Sequence, residues 1–225
     1  MGMNDWVCDK FKWDDEYKYN RGKVLNKDDL DEIENFGRYL DVDNDGICYR
    51  TYPGTHPEKG AFFTRGTSHD EYARYTEDGE VNAATLSRLM KKFRTASELV
   101  PEPVIEINGK DSCGVIFYGS TSPAVHEAKD ILKEKEINID LMQIRSFPFN
   151  LDVWEFIANH DRIYVVEQNR DSQMRTLIMA EGGISPEILR PLVHFTGDPI
   201  QASYIVNKIS EREVNYKSHI NAKKR

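Results

Sequence analysis

The sequence predicts an α/β fold: a mostly parallel sheet flanked by helices, preceded by a loop-rich acidic segment. Three observations carry that reading. Beyond residue 101, short apolar runs alternate with amphipathic stretches at the spacing of strand–helix–strand units. Before it the charge is lopsided, since residues 1–80 hold 19 acids and 11 bases while residues 81–225 hold 19 of each. Between the two textures, Pro101-Glu102-Pro103 interrupts the chain. The expected division is residues 1–100, loop-rich and ending in a connecting helix, and residues 101–225, an α/β domain. At 225 residues, the chain is long enough to bury a core without a disulfide or metal.

Taken in order, residues 1–25 are charged and aromatic with no clean period. Asn26 is expected to cap a short helix running through Asp29 to Phe36, with Leu30 and Ile33 inward and Gly37 as its stop. Residues 41–79 read as one long glycine-rich loop. A compact domain rarely keeps a structureless stretch of ~40 residues unless it is functional or lies against something else. Asn82 opens a helix whose Leu86, Leu89, Met90, Phe93, Ala96 and Val100 form one inward stripe, ended by Pro101 and Pro103. In the second region strands are expected at 115–118, 137–144, 162–167 and 192–195. The first intervening helix takes Ser122 as cap and Pro123 as its first residue, burying Ala124, Val125, Ala128 and Leu132. Further helices are expected at 151–160, at 172–180 before Gly182-Gly183, and at 200–209.

Composition narrows the function classes. No uninterrupted apolar run approaches the ~20 residues of a membrane span, and the N-terminus lacks the basic and apolar regions of a signal peptide. Cys8, Cys48 and Cys113 are scattered and odd in number, which reads as reduced thiols of a cytoplasmic protein. A net charge of −8, concentrated in the first third, argues against nucleic acid as a partner, because phosphate binding needs a basic stripe. Lys223-Lys224-Arg225 reads as a solvated tail.

Several clusters could carry chemistry. Asp41, Asp43, Asp45 and Gly46 match the first half of a calcium loop, but the twelfth position is Tyr52 rather than a bidentate Glu. The three carboxylates are therefore weak candidates for a cation, and a solvated Asx turn is the rival reading. The same turn does not fit a thiamine-diphosphate motif: Asn44 stands where a Gly is required, and no Asn follows before Asn82. Gly119-Ser120-Thr121-Ser122 reads as a tight turn between strand and helix, without the Lys of a phosphate loop. His126, His160 and His194 read as packing or surface residues. His69 differs, because Arg65, Thr67, Ser68, Asp70 and Glu71 crowd the same Gly-flexed loop. Glu167, Gln168, Asn169, Arg170 and Asp171 follow the third strand, where ligand sites of open sheets lie. A helix-capping turn with a subunit contact is the rival there.

Several stretches together resemble a known family. They are Arg21-Gly-Lys-Val-Leu25, Phe36-Gly-Arg-Tyr-Leu-Asp-Val-Asp43, Tyr49-Arg-Thr51, Pro53-Gly-Thr-His-Pro57, residues 60–72, Tyr118-Gly-Ser-Thr121, Arg145-Ser-Phe-Pro-Phe149 and Val165-Val-Glu-Gln-Asn-Arg170. The family is the alpha subunit of 2-oxoacid:ferredoxin oxidoreductases, especially the 2-oxoglutarate type. The resemblance runs over about residues 20–210 and covers only the carboxyl-terminal part of that subunit. It implies that residues 1–100 are the remnant of a pyrimidine-type domain with a connecting helix, and that residues 101–225 are similar to the transketolase C-terminal domain. It further implies a complex with a beta subunit and the remaining alpha and gamma domains. In that complex thiamine diphosphate, Mg2+ and a 4Fe–4S cluster are held mainly by the beta subunit, CoA is co-substrate and ferredoxin takes the electrons. No catalytic residue of the family carries over, because the segments that bear them have no counterpart here. What carries over is the loop with Arg65, Thr67, His69, Asp70 and Glu71, at the alpha/beta contact and the substrate entrance. The chain is then expected to be inactive alone; the rival reading is a non-catalytic transketolase-C-like interaction or ligand-binding module.

Overall fold

A computed structural model of the chain describes residues 12–61, 68–109 and 113–223, with side chains through residue 216. Its described residues divide into two compact units, one ending at Leu99 and one beginning at Val100. Among the described residues, no helix is long and apolar enough to cross a membrane.

In the first unit, helix α1 spans Lys27–Glu32. Asn26 caps it, accepting from the amides of Asp28 and Asp29, while the Asp29 carboxylate accepts from the Asn26 amide, a reciprocal arrangement that satisfies the orphan donors. The helix stops short of the expected Phe36. Ile33 turns extended, and the Lys59 ammonium donates to the carbonyls of Leu30 and Ile33 at 2.7 and 2.5 Å, satisfying the helix end from a distant loop. Outside its helices, strand-like pairing among the described residues of this unit is confined to bridges, Val24 with Arg50 and His69 with Tyr75. Helix α2 spans Gly79–Ser97, opening ahead of the expected Asn82 because the Asp78 carboxylate accepts from the amides of Glu80 and Val81.

The expected inward stripe of α2 faces outward. Leu86, Leu89, Met90 and Phe93 are 55%, 43%, 59% and 39% exposed. The face turned toward the rest of the unit is polar instead. Arg88 donates to the Gly46 carbonyl at 3.0 Å and Thr95 to the Asp45 carbonyl at 2.6 Å, and Lys91 lies 3.7 Å from Asp41. Gly46 makes this approach possible, since a Cβ there would sit 2.2 Å from the Lys92 amide nitrogen, and its φ is +81°. Helical spacing identifies a stripe but does not say what covers it.

The second unit is a five-stranded sheet in the order β1-β3-β2-β4-β5, with strands Val104–Glu106, Cys113–Tyr118, Ile139–Ile144, Ile163–Glu167 and Leu189–Val193 in chain order. Strands β2 to β5 are mutually parallel, and β1 runs antiparallel to β3. The sequence reading missed β1, three residues lying directly after Pro103. Strand β5 begins earlier than expected and includes Pro191, tolerated because β5 is an edge.

Alternation along the strands feeds two cores. Val115, Phe117, Leu141 and Val166 pack with α3 (Ser122–Glu134) and α6 (Ala202–Lys223). Ile116, Met142, Ile163 and Val165 pack on the other face with α4 (Leu151–Ala158) and α5 (Gln173–Gly182). A short 3-10 turn, Gly119–Thr121, precedes α3, so Thr121 takes the cap position and Ser122 lies inside the helix. Helix α6 continues well past the expected stop at Ile209. On its extension Glu213, 2% exposed, accepts from Arg162 Nε and Nη2 at 2.9 and 2.8 Å and from the Tyr164 hydroxyl at 2.9 Å.

Candidate functional site

The acidic turn is built around the chain's own cation. Asp41 accepts from the amides of Asp45 and Gly46, as the first ligand position of a calcium loop would. The Lys23 ammonium then donates to Asp43, Asp45 and the Ile47 carbonyl at 2.6, 2.7 and 3.1 Å. Those are the third, fifth and seventh positions of the pattern, so a lysine takes the place a metal would fill. Burial opposes the Lys23 charge, but the two carboxylates outweigh it and raise its pKa. The same hydrogen bonds from Lys23 hold Asp43 and Asp45 below the usual carboxylate value. Among the described residues, no group of three or more His, Cys, Asp or Glu is placed to hold a metal.

The His69 loop is pinned to residues 37–40. The His69 ring stacks on Tyr39 with centroids 3.9 Å apart, and the Glu71 carbonyl accepts from the Tyr39 amide at 2.9 Å. Asp70 is engaged in its own turn, its carboxylate accepting from the amides of Tyr72 and Arg74. The structure thus brings His69, Asp70 and Glu71 into one braced turn, with the Glu71 side chain outward. Arg65 and Thr67 lie outside the described residues.

The second expected cluster sits at the carboxyl ends of β2 and β4, the point where the strand order reverses. Glu167 is fully buried there and accepts from the amides of Met174 and Arg175 at the start of α5, at 2.7 and 3.0 Å, and from Asn169 Nδ2 at 2.8 Å. A carboxylate at a helix N-terminus takes the position an anionic ligand would use. Gln168 Nε2 donates to the Thr121 hydroxyl at 3.2 Å, and Asn169 Nδ2 reaches the Tyr118 hydroxyl at 3.4 Å, bridging the two strand ends. Burial and the neighbouring Glu167 raise the Tyr118 pKa. Arg170 and Asp171 turn outward and pair with each other on the surface. The geometry is that of a helix-capping turn.

His160 is a packed histidine, bonded to Asp140 at 3.1 Å and to the Phe156 carbonyl at 2.7 Å. Burial pushes the Cys113 thiol up to about 12. Sequence reasoning missed two features: the buried Arg162–Glu213 pair, whose members lie far apart in the chain, and the outward stripe on α2.

No protein-family model matches the chain. It is 27% identical, over 195 residues and 84% of its length, to 2-oxoacid:ferredoxin oxidoreductase 2, subunit alpha, of Aeropyrum pernix. To 2-oxoacid:ferredoxin oxidoreductase 1, subunit alpha, of Sulfurisphaera tokodaii it is 27% identical over 191 residues, 82% of its length. The chain spans 28% of the length of these curated relatives. Its fold matches a chain of the 2-oxoglutarate:ferredoxin oxidoreductase from Magnetococcus marinus, solved with 2-oxoglutarate, coenzyme A and succinyl-CoA bound. That match has a TM-score of 0.69 at 22% identity, over 80% of this chain and 31% of that one. The chain is therefore similar to a region of 2-oxoacid:ferredoxin oxidoreductase alpha subunits, as its motifs lead one to expect.

Proposed function

We propose that this chain forms part of the alpha subunit of a thiamine-diphosphate-dependent 2-oxoacid:ferredoxin oxidoreductase, acting on 2-oxoglutarate, and that it works only within the assembled complex. The likeness to alpha subunits over more than four-fifths of the chain carries this reading. Residues 1–100 are then the end of a pyrimidine-type domain with its connecting helix, and residues 101–225 a transketolase C-terminal-like domain. The outward stripe of α2 supports the same view: Leu86, Met90 and Phe93 form an apolar row that the rest of the alpha subunit, longer than this chain in its relatives, would cover.

Thiamine diphosphate, when bound, supplies the carbanion-stabilising centre for oxidative decarboxylation to acyl-CoA. The described residues offer it no metal-ligand set, so the reading assigns it, Mg2+ and the 4Fe–4S cluster mainly to the beta subunit. This chain's part is to position. Its loop with Arg65, Thr67, His69, Asp70 and Glu71 would line the alpha/beta contact and the substrate entrance, braced by Tyr39. Arg170 would add a contact beyond the sheet, while Glu167, Gln168 and Asn169 hold that turn in shape.

The test is reconstitution. The purified chain should show no 2-oxoglutarate- and CoA-dependent viologen reduction alone, and should co-elute with the beta subunit and the remaining alpha domains, which then turn over. Turnover by the isolated chain refutes the proposal. A discrete monomer that ignores the other subunits favours the interaction-module reading instead.

A further inference from the structure

A group of apolar side chains in the first unit converges on a solvent-open cavity instead of packing into a core. Leu25, Ile33, Phe36, Leu40, Val42 and Tyr49 line a cavity of about 400 Å³, in which Asp29 and Glu32 are the charged residues. None of the six is fully buried, and Val42 is 64% exposed. Apolar atoms that face solvent forgo dispersion contacts and keep their area in water. Such a lining gains free energy when an apolar group enters it.

Polar ties give the cavity its shape. Lys59 ends α1 by holding the Leu30 and Ile33 carbonyls, so the chain leaves the helix at Ile33 and brings Ile33 and Phe36 into the lining. Leu40 donates its amide to the Gly37 carbonyl at 3.2 Å, closing the next turn. Leu25 donates its amide to the Arg50 carbonyl, beside Tyr49 in the chain. The Tyr49 ring is held by Lys23, whose ammonium lies 5.2 Å from its centroid, and its hydroxyl bonds Asp43.

Charge then selects the occupant. Between Asn26 and Gly46 there are eight acids and two bases. Several acids are spent within the chain: Asp29 on the Asn26 amide, Asp31 on His56, Asp43 and Asp45 on Lys23. Asp28, Glu32 and Glu34 pair with no cation among the described residues. Asp28 and Glu32 stand four residues apart on one face of α1, and Glu32 reaches the cavity lining. No lysine or arginine lines this cavity. An anion is repelled there, and a bare hydrocarbon leaves the carboxylates unused.

We infer that this cavity seats one large apolar side chain of a partner polypeptide, with flanking lysines or arginines set against Glu32 and Asp28. The buried anchor supplies most of the affinity, and the flanking cations supply orientation and association rate. The inference stands apart from the oxidoreductase reading, because its test reads binding and not turnover.

The experiment titrates the full chain into a dye-tagged short peptide, a phenylalanine flanked by lysines, and follows fluorescence anisotropy at low salt. Replacing the phenylalanine by serine should weaken binding about tenfold or more. Glu32→Lys and Val42→Ser, both at exposed positions, should each weaken it about threefold or more and leave the melting temperature in place. With p-benzoylphenylalanine as the anchor, irradiation should crosslink the peptide within residues 25–49, read by peptide mass spectrometry. Four outcomes overturn the inference. They are no binding at submillimolar protein in low salt, equal binding of the phenylalanine and serine peptides, unchanged binding by Glu32→Lys and Val42→Ser, or crosslinks confined to other residues. Equal binding of the two peptides would mean that charge alone attracts them, and crosslinks at Leu86 or Phe93 would move the anchor to the α2 stripe.

Discussion

The described residues before and after the break at Leu99 and Val100 are held in shape by different physics. In the second unit, buried apolar side chains fill both faces of the sheet; in the first, Leu30 is the one fully buried large apolar side chain among the described residues. There, order rests on polar bonds across long spans of chain: Lys23 to the Asp43 turn, Lys59 to the end of α1, Arg88 and Thr95 to Gly46 and Asp45. Apolar burial is non-directional and roughly proportional to area, so it builds a cooperative core. An individual hydrogen bond contributes only about 0.5–1.5 kcal/mol net. A unit assembled mostly from such bonds opens at lower free energy and gains from being covered. The difference teaches that one unit is packed around an apolar core while the other is held mainly by directed polar bonds.

The sharpest way to break that comparison lies in the second unit. Glu213→Ala leaves the Arg162 guanidinium buried without its partner and should cost about 3–5 kcal/mol of unfolding free energy, read by urea denaturation. A loss under about 1 kcal/mol would mean the pair is solvated in practice. Next come matched deletions. Leu132→Ala should cost about 2–5 kcal/mol in the main transition. Leu30→Ala, the same deletion in the first unit, should expose residues 9–99 to protease while leaving that transition in place. If both variants shift one common transition, the two units fold as one.

A smaller effect depends on pH. The Lys129 ammonium, against the opposing cost of burial and with His126 beside it, holds Glu106 below its usual value. A depressed folded value means the bond stabilises in full above the unfolded value of about 4.3, and that this stability is lost as pH falls through the folded value. Glu106→Gln should therefore lower stability at neutral pH by no more than about 1 kcal/mol, because the group is about a third exposed and screened. Thermal melts of parent and variant should converge as the pH falls below the folded value; a constant gap would locate the effect elsewhere. The smallest stability change belongs to the α2 stripe, where Leu86→Ala should stay within about 0.5 kcal/mol. Phe93→Asp should nonetheless abolish co-elution with the other alpha domains.

Much of the second unit was legible because its signals are local. Apolar runs at 115–118 and 162–167, the Pro123 start of α3 and the stop at Gly182-Gly183 each act within a few residues, and the elements stand close to where those signals put them. Strand β1 escaped because three residues carry no period. The candidate sites were legible only as composition. Glu167 and Asp70 stood out as acids in suggestive places, but their hydrogen-bond partners show them supporting a helix end and a turn.

By itself the sequence determined the main strand and helix types and the Asn26 cap, since spacing, capping and proline act on neighbouring backbone. Only the tertiary structure decided which face of α2 lies inward, that Lys23 fills the acidic turn, and that Glu213 reaches Arg162. Those pairings join residues dozens of positions apart. Loop closure over such distances is governed by the whole set of contacts made together, and no local period records its outcome.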